Sequence, residues 1–123
     1  MYTIGSNADG RLGIGNKSLK YTSSPSLVEL PSHIPAVAIS CGGCHTAACL
    51  EDGSLYSWGL GDYGVNGITS KETWWTPVKV PLNPDVKVAQ VSCGDNHTAV
   101  VSYIGELWMC GDGESGQLGT HRW

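Results

Sequence analysis

Residues 40–59 read SCGGCHTAACLEDGSLYSWG, and residues 92–111 read SCGDNHTAVVSYIGELWMCG. Cys41, Gly42, His45, Thr46, Ala47 and Gly53 return as Cys93, Gly94, His97, Thr98, Ala99 and Gly105, and Pro25 returns as Pro77, every one 52 residues on. Self-similarity at a fixed period is the mark of an array of like supersecondary units, so it has to be read before any single strand. A second cluster extends the array to a third copy. Tyr2, Gly5, Gly10 and Gly13 return as Tyr56, Gly59, Gly64 and Gly67 at an offset of 54, and again as Trp108, Gly111, Gly116 and Gly119 at 52. The two extra residues therefore fall between Gly13 and Pro25. A length change confined to GNKSLKYTSS against GITSKETWWT marks that polar stretch as a surface loop. The units run 2–55, 56–107 and, incompletely, 108–123.

Four short segments of each unit have strand character. They are Ala36 to Cys41 and Val86 to Cys93; His45 to Leu50 and His97 to Ser102; Ser54 to Trp58 and Glu106 to Cys110; Leu27 to Leu30 and Val78 to Val80. Asp52-Gly53 and Ile104-Gly105 separate the second and third segments. Asp-Gly is a strong signal for a two-residue hairpin with a type I′ turn. Consecutive short strands with no 3.6-period stripe predict an all-β fold, an incomplete β-propeller of antiparallel four-stranded blades.

Bulk properties agree. The 123 residues include 17 Gly, five Trp, five Tyr and no Phe, a composition suited to many short strands joined by turns. Seven Lys and Arg against eleven Asp and Glu give a net charge of −4, which argues against direct nucleic-acid binding, since phosphate neutralisation needs a cationic face. No apolar run approaches the roughly 18 residues that would span a bilayer, and residues 1–15 lack a secretory layout, so no membrane association is expected. Five cysteines, an odd number, do not close a disulfide framework, and positions such as Cys49 read as small buried hydrophobes. The expected setting is intracellular, cytoplasmic or nuclear.

The strings YSWGLGDYG, SCGGCHTAACLEDGSLYSWG and SCGDNHTAVV resemble the repeat of the regulator-of-chromosome-condensation family, over nearly the whole chain. The resemblance implies blades of a seven-bladed propeller and a role in protein–protein interaction: exchange factor for a small GTPase, GTPase regulator, or recognition module of a larger signalling or ubiquitin-ligase protein. One departure is Asn66, where the other copies carry Leu12 and Leu118. The family's strand order implies that Val37 to about Val80 forms one whole blade. Outer strands near Tyr2 to Ile4 and Leu27 to Leu30 then precede it, and three inner strands ending near Cys110 follow. Such open edges invite self-association, and the chain reads as a fragment of a longer propeller.

Several motifs suggest chemistry that the repeat explains more simply. Cys41-Gly-Gly-Cys44-His45 matches the haem-attachment pattern, but its second copy has Asn96 in place of the second thiol. Zinc held by Cys41, Cys44, His45 and Cys49 fails on reach, because four residues of strand span about 13 Å. Gly59 to Gly64 and Gly111 to Gly116 both fit G-x-G-x-x-G, yet no helix follows to hold a pyrophosphate, and Asp62 and Glu114 sit where phosphate would approach. Ser40, Ser92, His45, His97, Asp52 and Asp95 lack a nucleophile-bearing elbow. No cofactor, metal or catalytic residue is expected. His45 and His97 read as turn residues whose imidazoles bond nearby backbone.

Partner-binding candidates are few. Family exchange factors face their GTPase with acidic or imidazole side chains in the loop between the first two strands of a blade. The resemblance carries that role to Asp95 and His97; the first copy offers neutral Gly43 and Cys44 beside its His45. Trp74 and Trp75, adjacent in the polar variable stretch, are candidate aromatic anchors, although on an extended segment one of the two faces the blade.

Overall fold

The computed structural model describes residues 1–31, 33–61, 72–112 and 119. Among them are nine strands: β1 Tyr2–Ser6, β2 Tyr21–Leu27, β3 Ala36–Cys41, β4 His45–Leu50, β5 Leu55–Gly59, β6 Trp74–Lys79, β7 Val88–Cys93, β8 His97–Ser102 and β9 Leu107–Gly111. A 3-10 turn, Ala8–Gly10, follows β1. The strands form three antiparallel sheets ordered β1-β2, β3-β4-β5-β6 and β7-β8-β9. The described residues thus form one four-stranded blade, the outer pair of the blade before it and the inner three strands of the blade after it. The sheets divide the sequence out of phase with its repeat.

β4 explains why the HTAACL run carries no alternation of polar and apolar residues: all six of its residues are buried, because blades cover both faces. Ala47 and Cys49 face one cluster, with Leu55, Val80, Val88 and Val100, which joins the second sheet to the third. Ala48 and Leu50 face the other, with Val28, Tyr56 and Trp58, which joins the second sheet to the first. Small side chains on this strand let the sheets approach.

The structure corrects the sequence reading in two places. The outermost strands run over Tyr21–Leu27 and Trp74–Lys79 and not over residues 27–30 and 78–80, so much of the stretch read as loop is strand. Five of the seven residues of β2 are exposed and two half-buried, so this edge strand lacks the periodic signal of a covered one. Its Pro25, like Pro77 in β6, is tolerated because an edge strand leaves one row of amides unpaired. The hairpin turns also differ from type I′. Gly53 N donates to Leu50 O and Gly105 N to Ser102 O, both at 2.9 Å, with Gly53 and Gly105 at φ +87° and no positive φ at Asp52 or Ile104. These are three-residue loops, a turn followed by a glycine bulge. Expectations for Asn66, Leu118, Gly64, Gly67, Gly116, Asp62 and Glu114 fall outside the described residues.

The first sheet is tied to the second through the segment after β1. Trp58, fully buried, donates from Nε1 to Arg11 O at 3.0 Å, and Thr46 Oγ1 donates to the same oxygen at 2.9 Å. Gly13, at φ +71°, closes over the indole so tightly that an added Cβ would lie 2.6 Å from Nε1. Asn7, 2% exposed, holds the loop beyond: its Nδ2 donates to Asn16 O and Leu19 O, both at 2.9 Å. Gly13→Ala is expected to destabilise the protein by roughly 2–3 kcal/mol in chemical denaturation, combining left-handed strain with displacement of Trp58. Gly105→Ala, which meets nothing within 4 Å, is expected to cost only about 1 kcal/mol.

Candidate functional site

The inner turns of the second and third blades, residues 42–44 and 94–96, lie side by side at one end of the sheets and form the candidate interaction surface. Each turn is closed by its own backbone: Gly42 N donates to His45 O at 2.7 Å, and Gly94 N to His97 O at 2.8 Å. Each imidazole folds back over the glycine. A Cβ on Gly42 would lie 2.7 Å from His45 Cε1, and one on Gly94 would strike the His97 ring. The Cys-Gly-x-x-His spacing is therefore a packing requirement, in which the glycine makes room for the ring.

The two histidines then part in role. His45 is 1% exposed, and its Nε2 lies 2.6 Å from Thr98 Oγ1 of the next blade, a hydrogen bond between blades and not the backbone bond expected from sequence. Burial, reinforced by the nearby His97, lowers the His45 pKa from 6.5 to about 4, so the ring is neutral. Its Nδ1 is buried and makes no hydrogen bond among the described residues. One strand inward, Cys93 N donates to Ser40 Oγ at 2.9 Å and Cys93 Sγ to Ser40 O at 3.4 Å. Burial pushes the Cys93 thiol up to about 11, so it is protonated and unreactive at neutral pH. None of the five cysteines is in a disulfide, and Cys49 is fully buried in the core between blades. Asp52 braces its own turn, accepting from Ser54 Oγ at 2.6 Å and Ser54 N at 3.0 Å, bonds that hold its carboxyl below the usual carboxylate range.

Asp95 is exposed at the tip of the third-blade turn, with half-buried His97 behind it. The turn leans on its neighbour: Gly43 N donates to Gly94 O at 3.3 Å, and a Cβ on Gly43 would lie 3.0 Å from Asp95 Oδ1 and 3.1 Å from its Cα. Gly43 is thus the seat of Asp95, a role that a neutral residue in the first copy did not suggest from sequence. The register His45↔Gly59↔Trp74 puts the start of β6 at this same end, two strands further out. Trp74 and Trp75 therefore share the face but not the turn. Both are half-buried in β6, not in a loop. Trp74 packs against the cluster of Val28, Leu50 and Trp58, and Trp75 covers Gly10, where a Cβ would lie 2.9 Å from its Cδ2. Among the described residues no group of three or more His, Cys, Asp or Glu could hold a metal ion, and no helix is long and apolar enough to cross a membrane.

Comparison with known proteins places this geometry. A family model described as the regulator of chromosome condensation (RCC1) repeat matches residues 1–49 and 52–101, and a second model of the same repeat matches 36–65 and 88–117. The chain is 35% identical over 118 residues to the probable E3 ubiquitin-protein ligase HERC3 of Homo sapiens, covering 96% of this chain and 11% of that protein. It is 36% identical over 115 residues to the ultraviolet-B receptor UVR8 of Arabidopsis thaliana, covering 94% and 26%. The chain therefore spans about a tenth of the first of these relatives and about a quarter of the second. Among solved structures, Prp20p from Saccharomyces cerevisiae superposes with a TM-score of 0.84 at 24% identity, over 99% of this chain and 31% of that one, a likeness of fold.

The buried imidazole has a measurable consequence. Between pH 6.5 and about 4 the unfolded chain binds a proton at His45 that the folded chain does not. Stability is expected to be flat above pH 6.5 and to fall by up to about 3 kcal/mol as pH drops through this window. The part of that slope between pH 6.5 and 5 should vanish in His45→Gln, measured by denaturant midpoints at each pH.

Proposed function

We propose, from the premise that this chain belongs to the regulator-of-chromosome-condensation (RCC1) repeat family, that its face of inner turns is a protein-docking surface within a larger propeller. The observation that carries this reading is the interlock of the Gly43 and Asp95 turns, which leaves one acidic side chain exposed on a backbone braced from the neighbouring blade. A turn whose backbone is already braced loses little conformational entropy on binding, which suits a recognition contact.

The finer reading is regulation of a small GTPase. Nucleotide exchange requires only that a partner's nucleotide-free form be bound more tightly than its loaded form, so a rigid propeller face suffices. Support comes from the acid and imidazole of one turn, Asp95 and His97, and from the fold shared with Prp20p, a protein described together with its binding to Gsp1p and histones. The alternative is a structural blade segment of a larger signalling or ubiquitin-ligase protein. It is favoured by the 35% identity to HERC3, of which the matched part is a small share.

Affinity capture with the full-length polypeptide, comparing nucleotide-free and GTP-loaded GTPases as prey, separates the two. Exchange predicts preference for the nucleotide-free form, and Asp95→Ala should weaken it about fivefold or more without altering the unfolding midpoint. Equal capture of both forms, or an unchanged affinity in Asp95→Ala, would leave the structural reading standing.

A further inference from the structure

The hairpins that join β4 to β5 and β8 to β9 lie at the opposite end of the strands from the turns that carry Gly43 and Asp95. The segment leading from β6 to β7 reaches both hairpins, and its main chain is held on each side: Val88 N donates to Gly53 O and Tyr103 N to Lys87 O, both at 2.9 Å. Gly53, at φ +87°, makes room for the Lys87 side chain. A Cβ there would lie 2.7 Å from Lys87 Cβ and 2.9 Å from its Cδ, so the aliphatic stem lies across the first hairpin while the residue stays exposed.

On one side of Lys87 this segment and the first hairpin frame a cavity of about 110 Å³, whose lining includes Asp52, Ser54, Lys79, Asn83 and Lys87. That is space for several waters or for one tetrahedral oxyanion. Neither lysine makes an ion pair or a side-chain hydrogen bond among the described residues. Asp52, the acid on the cavity, is within salt-bridge reach of neither, and its Oδ1 accepts both bonds from Ser54. Asn83 Oδ1 accepts from Asp85 N at 3.0 Å, which leaves the amide nitrogen to donate. Two ammonium groups and one amide, with no other acid on the cavity, match the charge and the three acceptor oxygens of a phosphoryl group. On the other side of Lys87 stands the tip of the second hairpin, Tyr103 and Ile104, 61% and 80% exposed, over a groove that Asp85 and Lys87 share. This exposure belongs to the position in the fold: the counterparts Glu51 and Asp52 are exposed too, although the sheet that follows theirs is in place.

We infer that this end of the blades is a second docking surface, for a segment of a partner protein in which a phosphorylated side chain stands next to an aliphatic residue. Lys79, Lys87 and the Asn83 amide take the phosphoryl group, and Tyr103 and Ile104 take its neighbour. The apolar tip beside the cations is what favours a phosphorylated protein over free phosphate as the source, since an inorganic ion has nothing to lay against it.

The test uses the full-length polypeptide and a fluorescein-labelled peptide in which phosphoserine is flanked by leucines, with its unphosphorylated twin. Saturable anisotropy is expected for the first, and binding about tenfold weaker or less for the second. Lys79→Gln and Lys87→Gln should each weaken binding about fivefold with the unfolding midpoint unchanged, whereas Lys17→Gln, in the loop between β1 and β2, should not. Asp52→Asn should strengthen it, because a like charge leaves the cavity. Ile104→Ser should weaken the peptide and leave competition by inorganic phosphate as it was. Absence of saturable binding overturns the inference, as does equal binding of the twin, or a loss in Lys17→Gln as large as in Lys79→Gln, the sign of unspecific charge attraction. Inorganic phosphate binding as tightly as the peptide, or a peptide indifferent to Ile104→Ser, assigns the cavity to the free ion and overturns it equally.

Discussion

The main-chain oxygen of Arg11 accepts hydrogen bonds from Trp58 Nε1 and Thr46 Oγ1, and through it the first sheet is held against the second. A carbonyl with two lone pairs, saturated by two side chains of one neighbouring blade, fixes both the distance and the rotation between the sheets. The conditions around it follow from that demand. Gly13 takes a left-handed φ of +71° so that the chain can pass close over the indole ring, and Leu12 is buried beside it. Asn7 gathers the following loop onto its side chain, so that a polar segment with few apolar anchors still has one defined path.

On the other side of the central blade the connection is made by different groups with the same logic. His45 reaches Thr98, Ser40 reaches Cys93, and the Gly43 amide reaches the carbonyl of Gly94. Each contact joins neighbouring units, as in any array where a repeat buries its apolar face only against the next. The polar bonds sit at the turn end and along the inner strands, and the valines and leucine of the apolar cluster fill the rest. That division braces the turns through their backbone while the Asp95 side chain stays in solvent.

The repeat made most of this architecture legible. β3, β4 and β8 begin and end where the sequence places them, because each is anchored in a repeated string with distinct boundaries. The outermost strands were legible only in part. β2 is covered by a neighbour on one side and largely solvated, so neither alternation nor a continuous apolar run marks it. The hairpin type was missed because Asp-Gly also serves a turn in which the glycine alone is left-handed, as at Gly53. The His45–Thr98 bond spans 53 residues, one repeat plus one. The recurrent His-Thr dipeptide was its signal, but a periodic sequence does not say whether a residue's partner lies in its own copy or the next. The same ambiguity hid the burial of Trp74 and Trp75, whose packing partners belong to the blade before as well as their own.

The seat that Gly43 provides for Asp95 has a consequence for what any face of this kind can display. A Cβ added to Gly43 would lie 3.0 Å from Asp95 Oδ1, so the side chain of one turn occupies the space above the turn before it, and a second side chain there would have to push its neighbour aside. These two turns are therefore not independent carriers of chemistry: the side chain at Asp95 restricts what position 43 can carry. The charge on this pair of turns is thus placed by steric exclusion alone, one turn bearing it and the other bare.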